Sequence, residues 1–215
     1  MNNSTFSSFN ESHSLAVRIW HWATSLTIIF TIVLVLMGTF MFKMRDNIPI
    51  VQEQLEHKGV TVTKDQARSV AHEYSDKIWM LHKYVGYGLC FLLLCRILLE
   101  ASQPGEEKLK TKIKNALSFQ ANTESEKDDR KTYLLAKRAY LLFYLIFLVM
   151  AASGLVLAFE DVKFLDPIHG FMGDVHEVTQ YLIYIYILAH LVGVIREEIG
   201  KYPGIISSMV NGKKK

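Results

Sequence analysis

His176 and His190 stand fourteen residues apart inside one apolar stretch, DVHEVTQYLIYIYILAHLVGVIR, residues 174–196. At 3.6 residues per turn this is close to four whole turns, so both rings fall on nearly one face of a helix, about 21 Å apart along its axis. An imidazole in an apolar segment is costly, and it usually faces the interior of a helix bundle, where it ligates or relays. Two on one face, one near each end, read as one ligand for each of two stacked metal centres. The ordinary alternative for either ring is a buried histidine bonded to a neighbouring helix.

Two more histidines open apolar runs. His21 lies in RIWHW, and His82 lies near the start of IWMLHKYVGYGLCFLLLCRILLEA. Gly86 is one turn beyond His82 on the same face, and a glycine there lets a flat macrocycle approach the backbone. Arg96 follows His82 by fourteen residues, again on one face. It has two readings: a side chain snorkelling to the interface, or a partner for a haem propionate or another buried acid. His57 and His72 sit in polar sequence and read as solvated. His169 is an alternative ligand to His176, although its place after Pro167 suggests a loop. Cys90 and Cys95 do not share a helix face well and no CxxCH occurs, so neither a disulfide nor a thioether-linked haem is expected. Two thiols are too few for an iron–sulfur cluster.

The elements that position these residues come from hydropathy. Half of the 215 residues are hydrophobic, and four runs are long enough to cross a bilayer, where about 20 apolar residues suffice. The expected fold is all-α, an integral membrane four-helix bundle forming a single domain over 1–215. Its spans lie at about 19–42, 78–101, 139–159 and 175–196. Residues 1–14 are polar and the first apolar run is span-length, so no cleavable signal peptide is expected. The polar stretch 43–77 has room for one or two short surface helices. Ser153 and Gly154 in the third span are small residues suited to helix contact. The net charge of +3 is small, and no nucleic-acid partner is expected.

Basic residues set the orientation. Fifteen lie in the N-terminal tail, the 102–138 loop and the C-terminal tail, against seven in the two opposite loops. By the positive-inside rule both termini are cytoplasmic. His82 and His176 then share an outer level, and His21 and His190 an inner one. Two imidazoles at each level suit a haem iron with no open position, which favours electron transfer over substrate chemistry. Zinc also accepts imidazole but prefers four ligands, so it would need further donors such as Glu177.

The H-x3-G-x9-R pattern of His82, Gly86 and Arg96, with the H-x13-H pattern of His176 and His190, resembles the prokaryotic cytochrome b561 superfamily of four-helix di-haem proteins. Within it, RIWHW, LLAKR and the tail IREEIGKYPGIISSMVNG are similar to the b-type cytochrome subunit of membrane-bound nickel–iron hydrogenases. The resemblance covers all four spans and the C-terminal tail, and the tail is its most discriminating part. It implies two non-covalent haem b groups and quinone as electron acceptor. It also implies a hydrogenase partner, comprising an iron–sulfur small subunit and a catalytic large subunit, and a multi-pass place in the cell inner membrane; the basic 102–138 loop and C-terminal tail separately suit anionic lipid headgroups. The chain would then be the electron-transfer subunit of a hydrogen:quinone oxidoreductase. The rival readings are a stand-alone cytochrome b561-type quinone oxidoreductase using a small diffusible reductant, and a haem-free structural or assembly protein.

Overall fold

Each of the four apolar runs is almost wholly helical, and each helix starts before its run does. The structure is a computed structural model and describes residues 14–212. The helices, in chain order, are α1 (Leu15–Leu36), α2 (Met44–Glu56), α3 (Lys64–Ser102), α4 (Leu109–Ser118), α5 (Glu124–Ala158), α6 (Asp166–Ile199) and α7 (Ile205–Asn211). A π-helical turn, Met37–Met41, prolongs α1. Among the described residues the regular structure is entirely helical, as the apolar periodicity leads one to expect.

Four helices are long and apolar enough to span a membrane: Leu15–Met41, Lys64–Ser102, Glu124–Ala158 and Asp166–Ile199. In the most apolar window of each, only 6–17% of residues are buried inside the protein. So much outward apolar surface is unfavourable in water and favourable in hydrocarbon, where a helix also satisfies its own backbone.

The helices run past the apolar segments for reasons that hydropathy alone does not register. Thr63 and Gln66 form a reciprocal cap at the start of α3, with Thr63 N to Gln66 Oε1 at 2.9 Å and Gln66 N to Thr63 Oγ1 at 3.3 Å. Exposed pairs one turn apart, His72–Asp76 at 2.6 Å and Glu73–Lys77 at 3.3 Å, continue the helix through polar sequence. Thr123 and Glu126 cap α5 in the same reciprocal way. The 43–77 stretch is therefore mostly helix, and 102–138 contains α4 and the first turns of α5. The sequence-based placement of His169 in a loop is also corrected. Pro167 occupies the first turn of α6, where its missing N–H costs nothing, and the helix already includes His169.

The chain divides into two compact units, Met1–Trp22 with Leu92–Lys215, and Ala23–Phe91. In the second, Ile48 on α2 packs with Ala67 and Ala71 on α3, flanked by Met44, Val51 and Val62. Gly38 lets Trp79 approach, since an added Cβ would meet the indole at 3.0 Å.

In the first unit α5 and α6 are antiparallel partners. Their contacts Phe143–Tyr186, Ser153–His176 and Val156–His169 advance along one helix as they retreat along the other. Ala116 and Ile113 of α4 pack on Tyr133 and Leu134 of α5. Glu100 Oε1 accepts the Leu109 N–H at 2.7 Å and so caps α4. At the other end of the chain Glu198 accepts from Gly204 N at 3.1 Å and Ile206 N at 3.0 Å, capping α7. Arg18 Nη1 donates to the Val210 carbonyl (3.2 Å) and Trp22 Nε1 to the Met209 carbonyl (3.1 Å), which hold α7 against the start of α1.

Candidate cofactor site

α1 and α6 bring His21 and His190 together within the first unit. Their ring centroids are 6.3 Å apart and their planes differ by 60°. With a metal about 2.0–2.1 Å from each ligating nitrogen and each nitrogen about 1.1 Å from its ring centre, two imidazoles on opposite sides of one metal have centroids about 6.2–6.4 Å apart. The observed separation matches that spacing. Aromatic rings support both histidines: Trp22 meets His21 edge-on at 5.6 Å, and Tyr186 stacks on His190 at 6.2 Å with planes 6° apart. Tyr186 is held in turn by Phe143 of α5, at 5.0 Å.

Arg96 lies in the same unit and is 12% exposed at its side chain. Its Nε donates to Tyr144 Oη at 2.8 Å and its Nη2 to Glu100 Oε2 at 3.0 Å. The guanidinium lies over the Trp20 and Tyr144 rings, 5.7 and 5.4 Å from their centroids. Trp20 is fixed by donation from Nε1 to the Leu92 carbonyl at 2.7 Å. The remaining arm, Nη1, is buried and has no hydrogen-bond partner among the described residues. A buried guanidinium nitrogen without an acceptor is costly, and an acid placed there would remove the cost. These contacts describe a held side chain rather than one reaching for water.

His176 projects from α6 towards α5. Its Nδ1 is 3.1 Å from Ser153 Oγ, and a Cβ on Gly154 would come within 3.0 Å of its Cε1. His82 belongs to the Ala23–Phe91 unit, where Trp79 meets its ring edge-on at 5.7 Å. One turn beyond it, a Cβ added to Gly86 would meet no atom within 4 Å. His169 Nε2 bonds to the Val156 carbonyl at 3.0 Å. His57 and His72 are exposed beside Glu53 and Asp76. Among the described residues no three His, Cys, Asp or Glu side chains converge to hold a metal ion, so a bare zinc with Glu177 as an added donor has no such cluster.

Tyr144, Trp20, Tyr186 and Ser153 are the neighbours that sequence reasoning passed over as functional. Tyr144 is 48 residues from Arg96, and no local spacing signals that pairing. Tyr186 was legible: it precedes His190 by one helical turn, and an aromatic at that offset is placed to flank the ring.

Two imidazoles whose ring centres lie 6.3 Å apart, each with an aromatic neighbour, and in the same unit a buried guanidinium with an unused donor, suit a bis-ligated metal bearing an acidic periphery. Such a centre exchanges electrons without opening a position to substrate. No curated protein and no solved structure matches the chain. A family model described as prokaryotic cytochrome b561 matches residues 12–212. That match takes in all four long apolar helices, and the chain belongs to the prokaryotic cytochrome b561 family: it is a multi-pass membrane cytochrome that binds b-type haem and transfers electrons.

Proposed function

We propose that this cytochrome is the membrane-anchoring, di-haem subunit that carries electrons from a periplasmic nickel–iron hydrogenase to the quinone pool of the cell inner membrane. The observation that carries the haem assignment is the 6.3 Å approach of His21 to His190. A haem fits the residues present. His21 and His190 would hold its iron, and the buried Nη1 of Arg96 would pair with a propionate. Bound there, haem would supply a one-electron iron couple held by two imidazoles, which suits electron transfer.

The protein's own part is to hold the two rings facing one another, their centres 6.3 Å apart. Trp22, Tyr186 and Phe143 hold the rings by packing, and Tyr144 and Glu100 orient Arg96. His82 and His176 would hold the second haem. The support is their common level when helix direction and the basic-residue count are combined, together with the open side of Gly86.

Support for the hydrogenase comes from the tail IREEIGKYPGIISSMVNG and from the cysteine count, since Cys90 and Cys95 are too few to ligate a cluster. Iron–sulfur clusters would lie on the partner's small subunit, docked outside. The lysines of α4 and of the C-terminal end suit anionic lipid headgroups on the cytoplasmic side.

Purification in mild detergent tests the whole reading. The expected result is a reduced-minus-oxidised spectrum of b-type haem, two irons per chain, pigment removed by acid–acetone, and a co-purifying iron–sulfur protein with its large subunit. Hydrogen should then reduce the haems and, through them, added quinone. Absence of haem rejects the assignment. Full haem with no such partner, and reduction by a small diffusible reductant, would favour a stand-alone quinone oxidoreductase.

A further inference from the structure

Ser153 is buried, 1% exposed, in the middle of an apolar helix. A hydroxyl there must be satisfied by hydrogen bonds. It lies 2.8 Å from the Val149 carbonyl and 3.1 Å from the Met150 carbonyl. Both are acceptors, and the hydroxyl has a single hydrogen. Once that hydrogen is given to a carbonyl, the oxygen can only accept from the third neighbour, His176 Nδ1 at 3.1 Å. The serine oxygen therefore selects the tautomer with hydrogen on Nδ1 and a lone pair on Nε2. Beside it Gly154 leaves the space that the ring fills, because a Cβ would sit 3.0 Å from Cε1.

We propose that Ser153 and Gly154 are positioning residues for His176: the serine accepts the Nδ1 hydrogen so that Nε2 is the ligating nitrogen, and the glycine sets how closely the ring lies against α5. This rests on the haem assignment above. A ligating histidine that donates its second nitrogen to an acceptor is held in one orientation and made a more basic ligand. A more basic ligand favours the oxidised iron, so the hydrogen bond lowers the potential of the centre that His176 holds.

The test compares Ser153→Ala, Ser153→Thr, Gly154→Ala and His176→Ala in the full-length protein, isolated with whatever partners it carries. Redox titration and low-temperature electron paramagnetic resonance follow each haem component. His176→Ala should remove one component and so identify it. Ser153→Ala should retain that component and raise its potential by up to about 59 mV, a tenfold change in a one-electron equilibrium, while the other stays fixed. Ser153→Thr, which keeps the acceptor oxygen, should return the potential towards the wild-type value. Gly154→Ala should change the resonance position of the same component, as the ring is pushed off its orientation. If Ser153→Ala and Gly154→Ala both leave that component at its wild-type potential and resonance, the positioning role is overturned and the haem assignment stands. If His176→Ala removes no component, the assignment itself fails and the proposal falls with it.

Discussion

Around His190 the neighbours are large, flat and aromatic, and the same unit supplies a buried cation: Tyr186 stacks on the ring, His21 faces it, and Arg96 keeps an unused donor. Around His176, further along the same helix, they are small: a serine hydroxyl at 3.1 Å and a glycine whose missing side chain makes the room. One end shields its histidine by packing and leaves charge to be answered by a cofactor acid. The other orients its histidine by a hydrogen bond within the protein. The difference teaches that two ligands of one type on one helix need not be interchangeable. Their centres should differ in potential and in what damages them.

The largest test of that contrast removes the ligands. His21→Ala and His190→Ala should each abolish one and the same haem component, and His176→Ala and His82→Ala the other, read by difference spectra and potentiometric titration. Loss of the same component from His21→Ala and His82→Ala would break the comparison at its root.

Next in size is Arg96→Leu. Breaking a fully buried ion pair costs about 3–5 kcal/mol, and about 2 kcal/mol is expected here because Glu100 is partly exposed. Thermal unfolding followed by haem absorbance should show the loss. Redox titration should show the His21–His190 component lowered in potential, since removing a nearby cation favours the more positive, oxidised iron. An equal shift in both components would erase the asymmetry that Arg96 is taken to create.

Trp20→Phe should do less. It deletes the bond to the Leu92 carbonyl and weakens the ring face under Arg96, for about 1 kcal/mol. The same thermal measurement reads it, with the His176 component unmoved as the internal control.

The smallest effect is expected far from either histidine. Tyr202 donates to the Asp129 carboxylate, and Lys201 Nζ reaches the same carboxylate at 2.6 Å. Burial first, then the bond to Asp129, pushes the tyrosine up to about 12. An unfolded tyrosine titrates near about 10. Because the folded value is the higher, this contribution is complete below pH of about 10 and is lost as pH rises through about 12. A spin label on Val210→Cys should stay immobile through the first range and loosen in the second. Tyr202→Phe should loosen it at neutral pH without touching either haem potential.

The histidines and the apolar runs that carry them are legible in the chain itself; the contrast between their surroundings is not. Histidines inside long apolar runs are conspicuous, and a fourteen-residue spacing puts His176 and His190 on one helix face. The four spans followed from hydropathy because hydrocarbon selects for uninterrupted apolar length. What escaped was whatever depends on two distant segments meeting. Ser153 looked like a small packing residue because a hydroxyl's partner on another helix leaves no local trace. Tyr144 looked like one more aromatic. Helix length escaped too, since caps such as Thr63–Gln66 and one-turn charge pairs prolong a helix with no apolar signal.

α7 has only seven residues. Nucleating a helix fixes several residues for its first hydrogen bond, and isolated helices shorter than about 12–15 residues are marginal in water. This one therefore borrows its order from outside itself: the Glu198 carboxylate at its start, and Arg18 and Trp22 on its last carbonyls. Removing any one of the three should melt the helix as a unit rather than fray it residue by residue. Trp22 is also the edge-on neighbour of His21, so the order of the last helix and the seating of the first histidine are settled by one indole.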